Sequence, residues 1–117
     1  MNLLDCSELH FLLDRHGAII AFQEKNRSWA GALAFSNEHL ASRFAEAARL
    51  EVAETAAVAT DDASSISALI TALKKRPIRY LLLDLDYKTG QCRQVDFAGD
   101  AFGAIRERQF VADEHSD

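Results

Sequence analysis

Arg79–Phe97, RYLLLDLDYKTGQCRQVDF, contains the chain's one run of three consecutive leucines, Leu81-Leu82-Leu83, followed at once by two acids, a turn and a second alternating stretch. An unbroken aliphatic run of this length reads as a central, buried strand. Lys88-Thr89-Gly90 reads as the turn that sends the chain back, and Gln91–Phe97 alternates as the return strand of a hairpin. Asp84 and Asp86 form a D-x-D at the end of the first strand, which makes this stretch the first place to look for chemistry.

Upstream, the segment SSISALITALKK places Ile66, Leu69, Ile70 and Leu73 at i, i+3, i+4 and i+7, the stripe of a core-facing helix. Asp61 or Asp62 supplies its N-cap. Lys74-Lys75-Arg76 stand where cations favour a helix C-terminus, and Pro77 stops propagation, so this basic cluster reads as a helix stop. Before it, Glu51–Thr60 reads as an alanine-rich strand. Leu40, Phe44, Ala47 and Ala48 mark the buried stripe of an earlier helix running to about Leu50, with Ser36 as its N-cap, Glu38 in its first turn and Arg43, Glu46 and Arg49 on the solvated face.

In Trp29–Phe35, Trp29, Gly31, Leu33 and Phe35 share one face while Ala30, Ala32 and Ala34 share the other, an alanine surface suited to close packing against a helix. Ala18–Glu24 reads as a short strand, joined to this one by the polar turn Lys25–Ser28. The first seventeen residues support two readings. Asp5 or Ser7 caps a helix carrying Leu9, Leu12 and Leu13, or Leu9, Phe11 and Leu13 alternate as a strand that turns at Arg15-His16-Gly17; the hairpin is preferred. Downstream of Phe97 the expectation is a loop, a short helix over Ala101–Phe110, and a polar tail at residues 112–117.

The order of elements gives an α/β (α+β) chain with a single domain over residues 1–111. The expected architecture is a mixed β-sheet with two crossover helices, which would set three strands parallel, and with terminal β-hairpins. At 117 residues one hydrophobic core suffices. A net charge of −5 argues against a nucleic-acid partner, which requires clustered Lys and Arg. No apolar run approaches the ~20 residues of a membrane span. The two cysteines, Cys6 and Cys92, have no metal-type spacing. With no basic, apolar leader at the N-terminus, the expected location is the cytoplasm, with both thiols free.

Three segments together carry a family resemblance: LAFSNEHLASRFAEA (Leu33–Ala47), the helix SSISALITALKK, and the late strand that runs into a turn and a closing strand. They resemble the N-terminal domain of the SseB-like (enhanced serine sensitivity) family, in which a hydrophobic strand, an F-T/S-x-E phrase and a helix recur. At the late turn, where that family carries Asn-Pro-Gly or similar, this chain has Asp84–Gly90. The resemblance implies a small α/β module with a regulatory or interaction-mediating role, and it brings no catalytic residue set.

Two functions follow as expectations. The first is a non-enzymatic protein-interaction or regulatory module that binds a protein partner, itself, or both, as a homodimer; an edge strand needs cover and a symmetric pair is the commonest solution. Trp29, the single Trp, is its surface candidate, although an aromatic at the start of a strand more often closes the core. The second is a small Mg-dependent phosphoryl-transfer or metal-binding protein. If the strands before Asp61-Asp62 and Asp84-x-Asp86 are parallel neighbours, these carboxylates gather at one sheet edge and suit a hard cation. The hydrophobic D-x-D is similar to the nucleophile motif of haloacid-dehalogenase-type phosphatases. It lies too late in the chain for the rest of such a site, however, and Asp84 and Asp86 at i and i+2 equally suit a solvated strand face, with Leu83, Leu85 and Tyr87 pointing to the core. No cofactor is expected, and the helix-start serines Ser64, Ser65 and Ser67 lack a nucleophile elbow.

Overall fold

The computed structural model describes Leu4, residues 6–23 and residues 30–109. In chain order the elements are β1 (Glu8–Leu13), β2 (Ala21–Gln23), β3 (Ala30–Ala34), α1 (Glu38–Ala48), β4 (Glu54–Ala59), α2 (Ala63–Lys74), β5 (Ile78–Leu83), β6 (Gln91–Ala98) and β7 (Ala101–Gln109). Trp29, the turn at residues 25–28, the expected domain end at 111 and the tail at 112–117 lie outside the described residues.

The leucine run of β5 has cover on both faces. Leu81 and Leu83 join Leu9, Phe11, Ala32, Ala34, Leu69, Leu73 and Val95 in a core cluster beneath α2. Tyr80 and Leu82 join Leu33, Phe35, Phe44 and Cys92 in a second cluster beneath α1. The alanine face of β3 thus meets α2, as its small side chains suggest. Both helices are organised by their buried stripes: Ile66, Leu69, Ile70 and Leu73 in α2, Ala41 and Phe44 in α1. None of the helices in the described residues is long and apolar enough to cross a membrane.

The fold is α+β with mixed sheets, and the detailed topology departs from the expected one in two places. A five-stranded sheet runs β2-β3-β5-β6-β7, and β1 and β4 form a separate pair. Only β3 and β5 are parallel in it, with Leu33 opposite Leu82. β4 is not their parallel neighbour; it lies antiparallel to β1, with Phe11 opposite Ala56. Both sides of β5 are already taken, by β3 and by its own hairpin partner β6, so the alanine-rich strand is left to the rim. β1 links the two sheets: His10 N–H donates to the Phe35 carbonyl at 2.8 Å, and Phe35 N–H donates back at 2.9 Å.

The second departure is at the end. Ala101–Gln109 is a strand, not a helix, and pairs antiparallel with β6. Ala98 sits opposite Ala101, so Gly99-Asp100 is a two-residue hairpin loop with Gly99 at φ 66°. Glycine at the first loop position suits the tight turns that match strand twist. That Gly-Asp signal outweighs the weak helical spacing of the residues after it. The early hairpin over β1 is observed as expected: Asp14 turns the chain, its carboxylate accepting from His16 N–H at 2.8 Å and Ala18 N–H at 3.1 Å.

Gly31 is fixed by close approach. A Cβ there would lie 2.5 Å from Tyr80 Cε1 and 2.8 Å from Leu82 Cγ, so the missing side chain is what lets β5 present Tyr80 and Leu82 directly across from β3. Replacing Gly31 with alanine is expected to destabilise the fold by about 1–3 kcal/mol through overpacking. Urea unfolding measures it; an unchanged midpoint would mean that the Tyr80 ring and Leu82 shift freely.

Candidate functional site

β5 stops at Leu83 because Asp84 takes the left-handed conformation, φ 55°. The strand alternation that would have placed Asp84 and Asp86 on one solvated face therefore ends before either. Asp84 N–H still donates to the Ala34 carbonyl at 2.9 Å, and its carboxylate folds back onto the end of β3. There it accepts from Ser36 N–H at 2.7 Å, Ser36 Oγ at 2.8 Å and Arg93 Nη2 at 3.2 Å. Ser36 is consequently not the cap of α1. Asn37 is, its side chain accepting from Leu40 N–H at 2.9 Å.

Asp86 is committed to the turn: its carboxylate accepts from Lys88 N–H at 2.9 Å and Thr89 N–H at 3.4 Å. Asp62 caps α2, accepting from Ser65 Oγ at 2.9 Å and from the main chain of Ser64 and Ser65. Asp61 stands exposed beside it. The two acidic pairs do not converge. Going from β4 to β5 crosses β1 and β3, three strand spacings of ~4.8 Å each, whereas one cation holds its oxygens within about 2.6 Å of itself. Among the described residues no group of three or more His, Cys, Asp or Glu side chains is placed to hold a metal ion.

What gathers around the Asp84 turn is an aromatic groove. Phe44 of α1 lies 5.5 Å from the Phe35 ring, 5.9 Å from Phe22, and 5.8 Å from Tyr87 in an edge-to-face arrangement. Leu40 and Leu85 complete the floor of a cleft of about 220 Å³, with Arg43, Asp84, Asp86 and Lys88 around it. Tyr87 is 55% exposed and is the one large hydrophobic side chain left exposed among the described residues. Continued strand alternation from Leu83 through Leu85 would have sent Tyr87 to the core. The turn chemistry of Asp86-x-Lys88-Thr89-Gly90 is the signal that places it outside, because a carboxylate accepting from the residues two and three ahead already defines a turn around Tyr87. Cys92, by contrast, is buried beneath α1 and in no disulfide.

The charges of the groove rim divide cleanly. Asp84 is paired with Arg93, both partly buried, and Asp86 is absorbed by its turn. Arg43 and Lys88 make no ion pair or side-chain hydrogen bond among the described residues and are exposed. The groove therefore presents an aromatic anchor flanked by two free cations.

Two tests follow from the placement of the acids. Asp84→Ala removes a charged acceptor from Ser36 and Arg93 together and is expected to cost about 1.5–3 kcal/mol, with Asp84→Asn retaining part of it; chemical denaturation measures both. For Asp62, the hydrogen bonds from Ser65 and Ser64 hold the carboxyl below its ordinary value of 3.8. Its contribution to α2 is thus present above that value and lost as pH falls through the lowered one. The melting-temperature gap between the parent and Asp62→Ala should therefore close in acid; a gap constant to low pH would contradict this cap.

Compared with family models, with curated proteins and with solved structures, the chain matches none.

Proposed function

We propose that the protein is a non-enzymatic interaction module that docks a protein partner in the groove between α1 and the β5–β6 turn. The observation that carries this reading is Tyr87, held half in solvent against the edge of Phe44. A tyrosine in this position offers a large, nearly rigid apolar surface with a polar tip, the composition of interface anchors. The neighbouring cleft takes one apolar side chain, and the unpaired Arg43 and Lys88 favour carboxylates beside it. The partner is accordingly a protein segment with an aliphatic or aromatic residue flanked by Asp or Glu. The resemblance to the SseB-like family, which implies a regulatory or interaction-mediating role, supports the same reading.

Peptides selected against the intact protein from a library of such acidic segments test it. Tyr87→Ala is expected to weaken a selected ligand at least ~10-fold, the behaviour of a central anchor. Arg43→Glu should slow association and flatten its dependence on salt. Calorimetry and nuclear magnetic resonance shifts measure both; ligands that leave the Tyr87 and Phe44 resonances unmoved, or an unaffected Tyr87→Ala, would overturn the assignment.

A further inference from the structure

Among the described residues three strands have a strand partner on one side only: β2, β7 and β4. They are not equivalent. β2 offers three residues. β7 offers nine, but Gly103 and Ala104 bulge opposite a single residue of β6, and the strand continues as Arg106-Glu107-Arg108. A bulge and alternating charge are the devices that blunt an edge against pairing. β4 has neither. From Thr55 to Thr60 it reads TAAVAT, without charge, proline or glycine, and its register with β1 runs from Glu54 to Ala59 without a shift.

The direction of its free groups follows from β1. His10 exchanges hydrogen bonds with Phe35, and the Leu12 carbonyl accepts from Ile20 N–H, so both face away from β4. Leu9 and Phe11 therefore bond to Val58 and Ala56 opposite them, a series that Thr60 N–H continues by donating to the Ser7 carbonyl, while at the other end the Leu13 carbonyl accepts from Ala53 N–H at 2.9 Å, just before β4 begins. Alternation along an antiparallel ladder then turns the N–H and C=O groups of Thr55, Ala57 and Ala59 outward. None of these main-chain groups has a partner among the described residues.

We infer that this edge is where the chain pairs with a second copy of itself, antiparallel, about a two-fold axis at Ala57. An axis perpendicular to the sheet keeps paired residues on the same face, so Ala57 meets Ala57 of the partner subunit and Thr55 meets Ala59 of the partner subunit. Every outward group of the strand is used, each pair exchanging two hydrogen bonds. The register is self-complementary in charge as well. Glu54, the one ionised residue of β4, falls opposite Thr60 of the partner subunit, and Asp61 falls opposite the partner's Ala53, so no acid faces an acid. A second copy supplies this match by symmetry. Its side chains are small, so the affinity rests on main-chain bonds, and the dimer is concentration-dependent. The pairing uses no residue that lines the Tyr87 groove.

Sedimentation and amide hydrogen exchange on the full chain, across a concentration series, test the inference. The parent is expected to approach twice its 13.0 kDa mass, with the amides of Thr55, Ala57 and Ala59 becoming protected as the dimer fills. Ala57→Lys sets two ammonium groups against each other at the axis, and Thr55→Lys adds bulk and charge beside it. Both positions are exposed, so each variant should keep the parent's circular dichroism and ligand affinity at the groove while weakening self-association several-fold. Ala104→Lys on β7 should leave the dimer intact. A parent that stays monomeric throughout, a dimer indifferent to both β4 lysines, or one dissociated by Ala104→Lys would overturn the pairing without touching the docking role of Tyr87.

Discussion

Burial of β5 on both faces is the constraint on which the structure depends. A strand reading Tyr80-Leu81-Leu82-Leu83 cannot leave either face in water, since each fully buried Leu contributes about 1.5–3 kcal/mol. One helix must therefore lie on each side of the sheet, and both crossovers exist to put them there. The same constraint sets the character of β3. Its Gly31 gives Tyr80 and Leu82 room on one face, and Ala32 and Ala34 let α2 approach on the other. Small residues on the neighbour are the counterpart of large residues on the centre.

Double burial also explains the subordinate position of β4. A parallel strand inserted beside β5 would have to displace β6, which arrives through a short local turn, or β3, which carries the complementary small residues. β4 has neither bulk nor proximity with which to compete. Its Ala56 and Val58 are adequate to cover Leu9 and Phe11 from the side, and that is the place it takes. Sequence order and spatial order part company here because occupancy of the central strand's two sides is decided by side-chain volume and loop length together.

This division sets what could be read from the sequence. The α2 stripe, its Asp62 cap, the β5–β6 hairpin and the helix after Phe35 were legible, because each rests on spacing within a few turns of chain. The partner of β4 was not, being a question of which strand reaches a vacancy first. The last strand was missed because the residues after Gly99-Asp100 carry weak periodicity of either kind, and the turn itself was the better witness. At the candidate site, the two aspartates were visible as residue types but not as roles. A left-handed Asp84 reverses the alternation on which any prediction of side-chain direction relies, and so it moved Tyr87 from the expected core to the surface. The groove is built by α1 and the β5–β6 turn, segments some forty residues apart, and no local pattern announces it.

The bonds from Asp84 to Ser36 have a consequence for recognition. Ser36 stands just ahead of α1, which carries Arg43 and Phe44; Asp84 stands just ahead of the turn that carries Tyr87 and Lys88. The two walls of the groove are thus fastened to each other at their roots. A partner entering such a cleft meets surfaces already in position, and the entropy that would otherwise be lost in ordering loose side chains and loops has been surrendered during folding. Affinity for a short, simple segment then becomes attainable on a small area, and discrimination between segments comes to rest on shape at the cleft rather than on adaptation of the protein.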